Sequence, residues 1–92
     1  MTTASDHIAH PEVLKRLKRA HGHLKSVLTM LEEQRDCLAI AQQLQAVEKA
    51  IANAKRTLVQ DHIEHCLEAT LRGKPADVGG TIAEFKEITK YL

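Results

Sequence analysis

One long stretch decides the fold, because residues 37–71 read CLAIAQQLQAVEKAIANAKRTLVQDHIEHCLEATL without a glycine or a proline. Most of these residues favour helix, and an apolar stripe runs along the stretch: Ile40, Leu44, Val47, Ile51, Ala54 and Leu58. We predict one helix from Cys37 to Leu71, ended by Gly73 and about 50 Å long. A helix of this length cannot fold onto itself in a chain of 92 residues, so it needs a partner molecule.

A helix is also predicted before this stretch, beginning near Pro11 and ending around Glu33–Arg35, with Asp36 as the N-cap of the long helix. Apolar residues recur in it at alternating steps of three and four. They form a heptad-like seam: Leu14, Leu17, Leu24, Leu28 and Leu31, with His21 among them. We interpret His21 as a hydrogen-bonded histidine of the core.

A short third helix is predicted after a loop at 73–80, because Thr81 and Glu84 have the spacing of a capping box. Its apolar face is expected to pack on the other helices: Ile82, Phe85, Ile88 and Leu92. The predicted fold class is therefore all-α, with three helices per chain. Residues 1–10 are expected to be a flexible tail, and residues 11–92 a single helical domain.

The composition excludes several classes of protein. No apolar run approaches the ~20 residues of a membrane span, and the N-terminus lacks the pattern of a signal peptide. We therefore expect a cytoplasmic protein, whose two cysteines are reduced rather than joined in a disulfide. There is no glycine-rich loop and nothing in the sequence that suggests a substrate, so we do not expect an enzyme.

Two cysteines and a histidine predict a metal site. His62 and Cys66 are four residues apart and share one helix face, whereas Cys37 lies ~37 Å away along the same helix. If two copies of this helix cross antiparallel near residue 50 or 51, Cys37 of one chain meets His62 and Cys66 of the other. Two thiolates and an imidazole suit Cu(I), Zn(II), Ni(II) or Co(II). The remaining candidate ligands are four histidines: His7, His10, His65 and His21.

The first helix carries a basic stretch, although the net charge of the chain is only +1. Between Val13 and Met30 there are five basic residues and no acidic one. A basic face of this kind, multiplied in an oligomer, is suited to the phosphate backbone of DNA. The candidate DNA-binding residues are Lys15, Arg16, Lys18, Arg19, Lys55 and Arg56.

Three motifs together resemble the CsoR/RcnR/FrmR family, the small all-helical metal- and aldehyde-responsive repressors of bacteria. They are RLKRAHGHL in the first helix, CLxxAQQLxAV from Cys37, and DHIEHC from Asp61. The resemblance implies that Cys37, His62 and Cys66 are the sensing residues and that Arg16 and Arg56 belong to the DNA face. It also implies a dimer of three-helix chains with a four-helix bundle, two of which pair into a tetramer. Such a protein binds operator DNA without metal, and metal releases it to derepress efflux or resistance genes.

The resemblance leaves the effector open. Copper sensors of the family use the Cys-His-Cys set, and nickel and cobalt sensors add an N-terminal histidine. The sequence of the present chain is most similar to those of family members linked to nickel resistance. Thr2 argues against a formaldehyde sensor, which has proline after Met1. One alternative function is a thiol or persulfide redox sensor, which would use the two cysteines and would not need His62. The other is a metal-binding helical oligomer that does not bind DNA.

Overall fold

The computed structural model describes residues 10–71 and 78–92, with side chains except at 69, 70 and 78–81. Three α-helices follow one another: α1 (Pro11–Glu32), α2 (Cys37–Leu71) and α3 (Val78–Ile88). A 3₁₀ turn, Thr89–Tyr91, ends the chain. The described residues contain no strand, which confirms the predicted all-α fold with three helices.

The connection between α1 and α2 is built by local hydrogen bonds. Gln34 has a positive φ of 56°, and the N–H groups of Gln34 and Arg35 donate back to the carbonyls of Leu31 and Met30, at 3.1 and 2.9 Å. This is a Schellman ending, here with glutamine in the position where glycine is most common. Asp36 then caps α2, as predicted, because its Oδ2 accepts a hydrogen bond of 3.1 Å from the N–H of Ala39.

The described helices divide into two compact units, of which one comprises Pro11–Ala54 and the other contains His10 and Lys55–Leu92. In the first unit, α1 packs against the first half of α2. Val27 of α1 forms a cluster with Ile40 and Val47 of α2. The buried residues repeat every seven positions on both helices: Val13, Ala20 and Val27 on α1, and Ile40, Val47 and Ala54 on α2.

The apolar stripes that the sequence predicts are only partly buried within one chain. The α1 leucines lie beside the buried line rather than on it, so that Leu14 and Leu28 are both 55% exposed. The α2 stripe splits in the same way, since Ile40 and Val47 are buried whereas Leu44 is 45% exposed. Each helix therefore carries a second apolar line that the chain itself leaves uncovered.

The other unit contains the second half of α2 and all of α3. Val59 is buried, but Ile82, Phe85 and Leu92 are exposed, so the apolar face predicted on α3 is largely uncovered. The predicted start of α3 is wrong by three residues, because the helix begins at Val78 and Thr81 lies inside it rather than capping it. Gly73, the predicted end of α2, lies outside the described residues. Among the helices that are described, none is both long and apolar enough to cross a membrane.

Candidate metal centre

The second half of α2 and α3 together bring three ligand-bearing side chains to one place. His62 and Cys66 are one helical turn apart on α2, and Glu84 approaches them from α3. One ligand atom from each lies within 4.8 Å of the other two. Within the described residues, the structure therefore joins two of the three predicted ligands and adds a carboxylate.

His62 and Glu84 are in direct contact. The Nε2 atom of His62 lies against Oε1 of Glu84, and the two side chains are 16% and 48% exposed. The contact is an ion pair when the imidazole is protonated, so the buried Nε2 atom has the carboxylate of Glu84 as its partner. Imidazole nitrogen is a common ligand of transition metals, so His62 is a candidate metal ligand beside Cys66.

The thiol of Cys66 is affected by the same surroundings. Burial raises its pKa above the ordinary value, and the carboxylate of Glu84 raises it further, because both disfavour a second negative charge. The thiol form is therefore favoured while no cation is present. A bound cation would reverse this preference, since metal ligands must be deprotonated.

Cys37 does not join this group. It is the first residue of α2 and is exposed, and it forms no disulfide with Cys66. Along a continuous helix, Cys37 lies ~37 Å from His62, as the sequence already requires. One chain alone therefore cannot bring the three predicted ligands together.

The four further candidate histidines have different surroundings. The Nδ1 atom of His10, which precedes α1, lies 3.5 Å from Oδ2 of Asp61, the residue before His62, and the His10 side chain is 21% exposed. His65 is exposed and is not in the ligand group. His21 is exposed, so its interpretation as a core histidine is wrong: it belongs to the leucine seam, which the chain leaves uncovered. His7 lies outside the described residues.

The basic stretch of α1 lines a small cleft in the unit formed by residues 11–54. Arg16, Arg19 and His23 of α1 face Asn53 of α2 across a cleft of about 190 Å³. Arg16 forms an ion pair of 3.2 Å with Glu12, and the ring Nε2–H of His23 donates a hydrogen bond of 2.6 Å to Gln43. The other candidate DNA-binding residues are exposed: Lys15, Lys18, Lys55 and Arg56.

An apolar groove of about 530 Å³ lies in the same unit. Leu24 of α1 and Leu44 and Ile51 of α2 contribute its large exposed apolar side chains, which are 37%, 45% and 45% exposed. The groove is therefore formed by the uncovered apolar lines described above. Its α2 residues include Ile51, and the sequence predicts that two chains cross near residue 50 or 51.

Sequence reasoning missed Glu84 as a member of the ligand group. Its spacing from Thr81 suggested a capping box, and the early start of α3 at Val78 removes that role. No spacing rule links a residue of α3 to one of α2, because α3 follows a separate connection. Only the approach of the two helices reveals the carboxylate.

Comparison with known proteins gives a consistent result. The sequence profile of the family described as metal-sensitive transcriptional repressor matches residues 9–91. The copper-sensing transcriptional repressor CsoR of Mycobacterium ulcerans is 38% identical over 66 residues, which cover 68% of this chain and 56% of that protein. CsoR of Bacillus subtilis is 30% identical over 81 residues, covering 86% of this chain and 80% of that protein. The solved structure of the nickel-responsive transcriptional regulator InrS superposes with a TM-score of 0.76 at 28% identity, covering 92% of this chain and 94% of that one.

Proposed function

The chain belongs to the family of metal-sensitive transcriptional repressors, and from this premise we propose that it represses metal efflux or resistance genes until metal releases it from operator DNA. Its relatives are transcriptional repressors and not enzymes. The effector is a transition metal ion, and the two alternatives are Ni(II) or Co(II), and Cu(I). Residues 11–92 act as one domain that combines metal sensing with DNA binding.

The observation that carries this proposal is the division of the ligands along α2. His62 and Cys66 lie together near one end of the helix, and Cys37 is exposed at the other. A second copy of α2, crossing antiparallel, supplies Cys37 to the first copy's His62 and Cys66. The complete sensing set therefore exists only between two chains.

The residues present fit a transition metal. His62 offers an imidazole nitrogen and Cys66 offers sulfur one turn away, and the two ligand atoms lie within 4.8 Å of each other. A bound ion would supply ligand bonds that join the two chains. These bonds would hold the chains together more strongly than hydrogen bonds between them. His10, held beside Asp61 next to the site, is a further candidate ligand of the kind that nickel and cobalt sensors of the family use.

The uncovered apolar groove supports assembly of the chain with itself. Its large side chains come from the two uncovered lines of α1 and α2, and Ile51 at the expected crossing point is among them. Small residues next to it, Ala50 and Ala52, allow two helices to approach closely. We therefore assign the groove to the antiparallel dimer, and the pairing of two dimers to the tetramer.

The link that we propose between metal and DNA is geometric. Ligands drawn from two chains favour one arrangement of those chains, and each chain carries the Arg16 and Arg19 cleft. If the arrangement with metal no longer aligns these clefts with the DNA phosphates, affinity falls. A hundredfold loss requires only about 2.7 kcal/mol of coupling, which lies within the usual range for allosteric proteins.

The substitution Cys37→Ala tests this mechanism. The variant is expected to bind operator DNA as the parent does, because Cys37 lies outside the basic cleft, but metal is expected to release it no longer. Reduced protein is titrated anaerobically with Ni(II), and in a second series with Cu(I), while binding to the promoter region of its own operon is followed by fluorescence anisotropy.

Gln42→Ala serves as the control, since Gln42 is exposed on the same helix and is not a candidate metal ligand. It should respond to metal like the parent protein. Release of the Cys37→Ala variant at the parent's metal concentration would show that the sensing set has been assigned wrongly.

A further inference from the structure

His23 lines the cleft that α1 forms with α2, beside two arginines of the basic stretch. Arg16, Arg19 and His23 follow one another at steps of three and four, so they lie on one face of α1. The small side chains of Ala20 and Ala50 line the same cleft and leave it a volume of about 190 Å³. One water molecule occupies roughly 30 Å³ in the liquid, so the cleft has room for a considerably larger group.

The charge of the cleft is suited to an anion. Its lining includes the guanidinium groups of Arg16 and Arg19, and none of the described residues that line it is acidic. Glu12 pairs with the Nε atom of Arg16 at 3.2 Å but is not part of the lining. On the α2 side, the polar lining residue is the neutral Asn53. An oxyanion in the cleft would therefore face two positive charges.

A hydrogen bond between His23 and Gln43 determines which ring nitrogen of His23 carries hydrogen. Nε2 of His23 lies 2.6 Å from Oε1 of Gln43, and an amide oxygen is only an acceptor, so Nε2 is the donor. In a neutral imidazole the other ring nitrogen, Nδ1, then has no hydrogen and is itself only an acceptor. Phosphate oxygens are acceptors as well. His23 can therefore donate to a phosphate through Nδ1 only when its ring is protonated.

We propose that His23 is a DNA-binding residue that acts in its protonated form. Its Nδ1–H donates to a phosphate group of operator DNA that Arg16 and Arg19 also contact, while Gln43 holds Nε2–H. The inference rests on the proposed function and deepens it, because it makes DNA binding depend on a proton taken up from solvent.

The sign of this dependence follows from the charges around His23. The charged groups that face it in the cleft are Arg16 and Arg19 of α1, and the facing residues of α2 are neutral, so the arriving phosphate supplies the negative charge that favours the imidazolium. Imidazole changes its charge between about pH 5 and 8. Where the free ring is neutral, binding takes up one proton for each occupied cleft, and the affinity for DNA falls as the pH rises.

The substitution His23→Gln tests the inference, because glutamine can still bond to Gln43 but stays uncharged at every pH. Reduced, metal-free full-length protein is titrated with the promoter region of its own operon at constant ionic strength, and anisotropy is followed from about pH 6 to about pH 8. At the lower pH the variant should bind about tenfold more weakly than the parent for each chain that contacts the DNA. At the upper pH the difference should shrink to less than about threefold, because the parent's ring is then largely neutral.

The control is His65→Gln, which also removes one imidazole. His65 is exposed on α2, outside both the cleft and the ligand group. This variant should keep the affinity and the pH dependence of the parent. The inference would be overturned if His23→Gln kept the parent's pH dependence. An equal loss of affinity at both pH values would also overturn it, since His23 would then only help α1 to pack on α2.

Nitrogen NMR of the histidine side chains follows the proton itself. At a pH where the free ring is neutral, His23 should carry hydrogen on Nε2 alone, and on both ring nitrogens once DNA is bound. Gln43→Ala should remove the preference for Nε2–H and weaken the pH dependence, because a neutral ring can then donate from Nδ1.

The same experiments separate this inference from the proposed function. A neutral His23 ring in the DNA complex would refute the inference and leave repression intact, whereas a parent protein that binds no promoter DNA at any pH tested would refute the proposed function. Circular dichroism confirms that each variant keeps its helices.

Discussion

Among single residues, Cys66 shows how the surroundings of a candidate ligand adjust the chemistry of its thiol. Burial and the neighbouring Glu84 both raise the pKa of its thiol. At neutral pH this keeps more of the residue as thiol, which is less nucleophilic than thiolate. We therefore expect the thiol of Cys66 to be oxidised more slowly than an exposed thiol of ordinary pKa.

The pKa shift predicts a slow and pH-dependent alkylation of Cys66. In a Cys37→Ala background without metal, iodoacetamide should react more slowly with the folded protein than with the protein in urea, at the same pH near neutrality. The rate should rise with pH through a midpoint above the ordinary thiol value. Glu84→Gln should increase the rate at neutral pH, because one of the two causes of the raised pKa is removed.

Mass spectrometry of quenched samples measures these rates. Glu87→Gln should leave them unchanged, since Glu87 is paired with Lys90. Equal rates in the folded and the urea-unfolded chain would contradict a raised pKa in the folded state.

At the scale of elements, α1 carries a line of buried apolar residues and a set of basic residues, which have different roles. One line, Val13, Ala20 and Val27, is buried within the chain. The basic residues of the same helix, Arg16 and Arg19, line the cleft that α1 forms with α2. Packing of α1 on α2 therefore fixes the backbone positions of both arginines, and under the proposed function their side chains contact DNA phosphates.

The double substitution Arg16→Ala and Arg19→Ala is expected to weaken operator binding at every salt concentration. Loss of two phosphate contacts per chain should reduce the slope of log K against log salt by about 2 for each chain that contacts the DNA, whatever the DNA sequence. Anisotropy titrations over a range of KCl concentrations measure both quantities.

The double variant Arg35→Ala and Lys90→Ala is the control, because it removes the same charge from positions outside the basic stretch. It should retain most of the affinity and the slope. If the two double variants behave alike, the interaction depends on net charge alone and the cleft has no special role.

At the scale of the whole molecule, the uncovered apolar lines predict that the chain is an oligomer. Leu44 and Ile51 are each 45% exposed in the groove of one chain. Burial of these side chains in an interface stabilises the dimer by about 1 kcal/mol per side chain. Each side chain occurs twice in a symmetric dimer. Their removal should therefore weaken the dimer by about 4 kcal/mol, or roughly 1,000-fold in Kd.

The variant with Leu44→Glu and Ile51→Glu tests this prediction by sedimentation equilibrium. Its mass should fall to that of one chain at micromolar concentration, with the helix content kept, and metal should no longer release it from DNA. Gln42→Glu adds a charge to the same helix on an exposed position away from the groove and should leave the mass unchanged. An unchanged mass in the double variant would place the interface elsewhere.

The sequence by itself determined the features that depend on neighbours along the chain. Pro11 at the start of α1 and Asp36 at the start of α2 predicted both helix beginnings, because a cap acts within one helical turn. The adjacency of His62 and Cys66 followed for the same reason, since residues four apart share a helix face. The motifs around them were specific enough to predict the family.

The tertiary structure alone decided which apolar residues are buried and which carboxylate joins the ligands. A periodic pattern shows that a helix has an apolar side, but the line that faces its neighbour depends on how two helices pack, and this leaves His21 and Leu28 exposed. Glu84 meets His62 because α3 lies against the second half of α2, and no local rule encodes that approach. Contacts between distant segments depend on the free energy of the whole packed arrangement, whereas local spacing determines only what each helix presents.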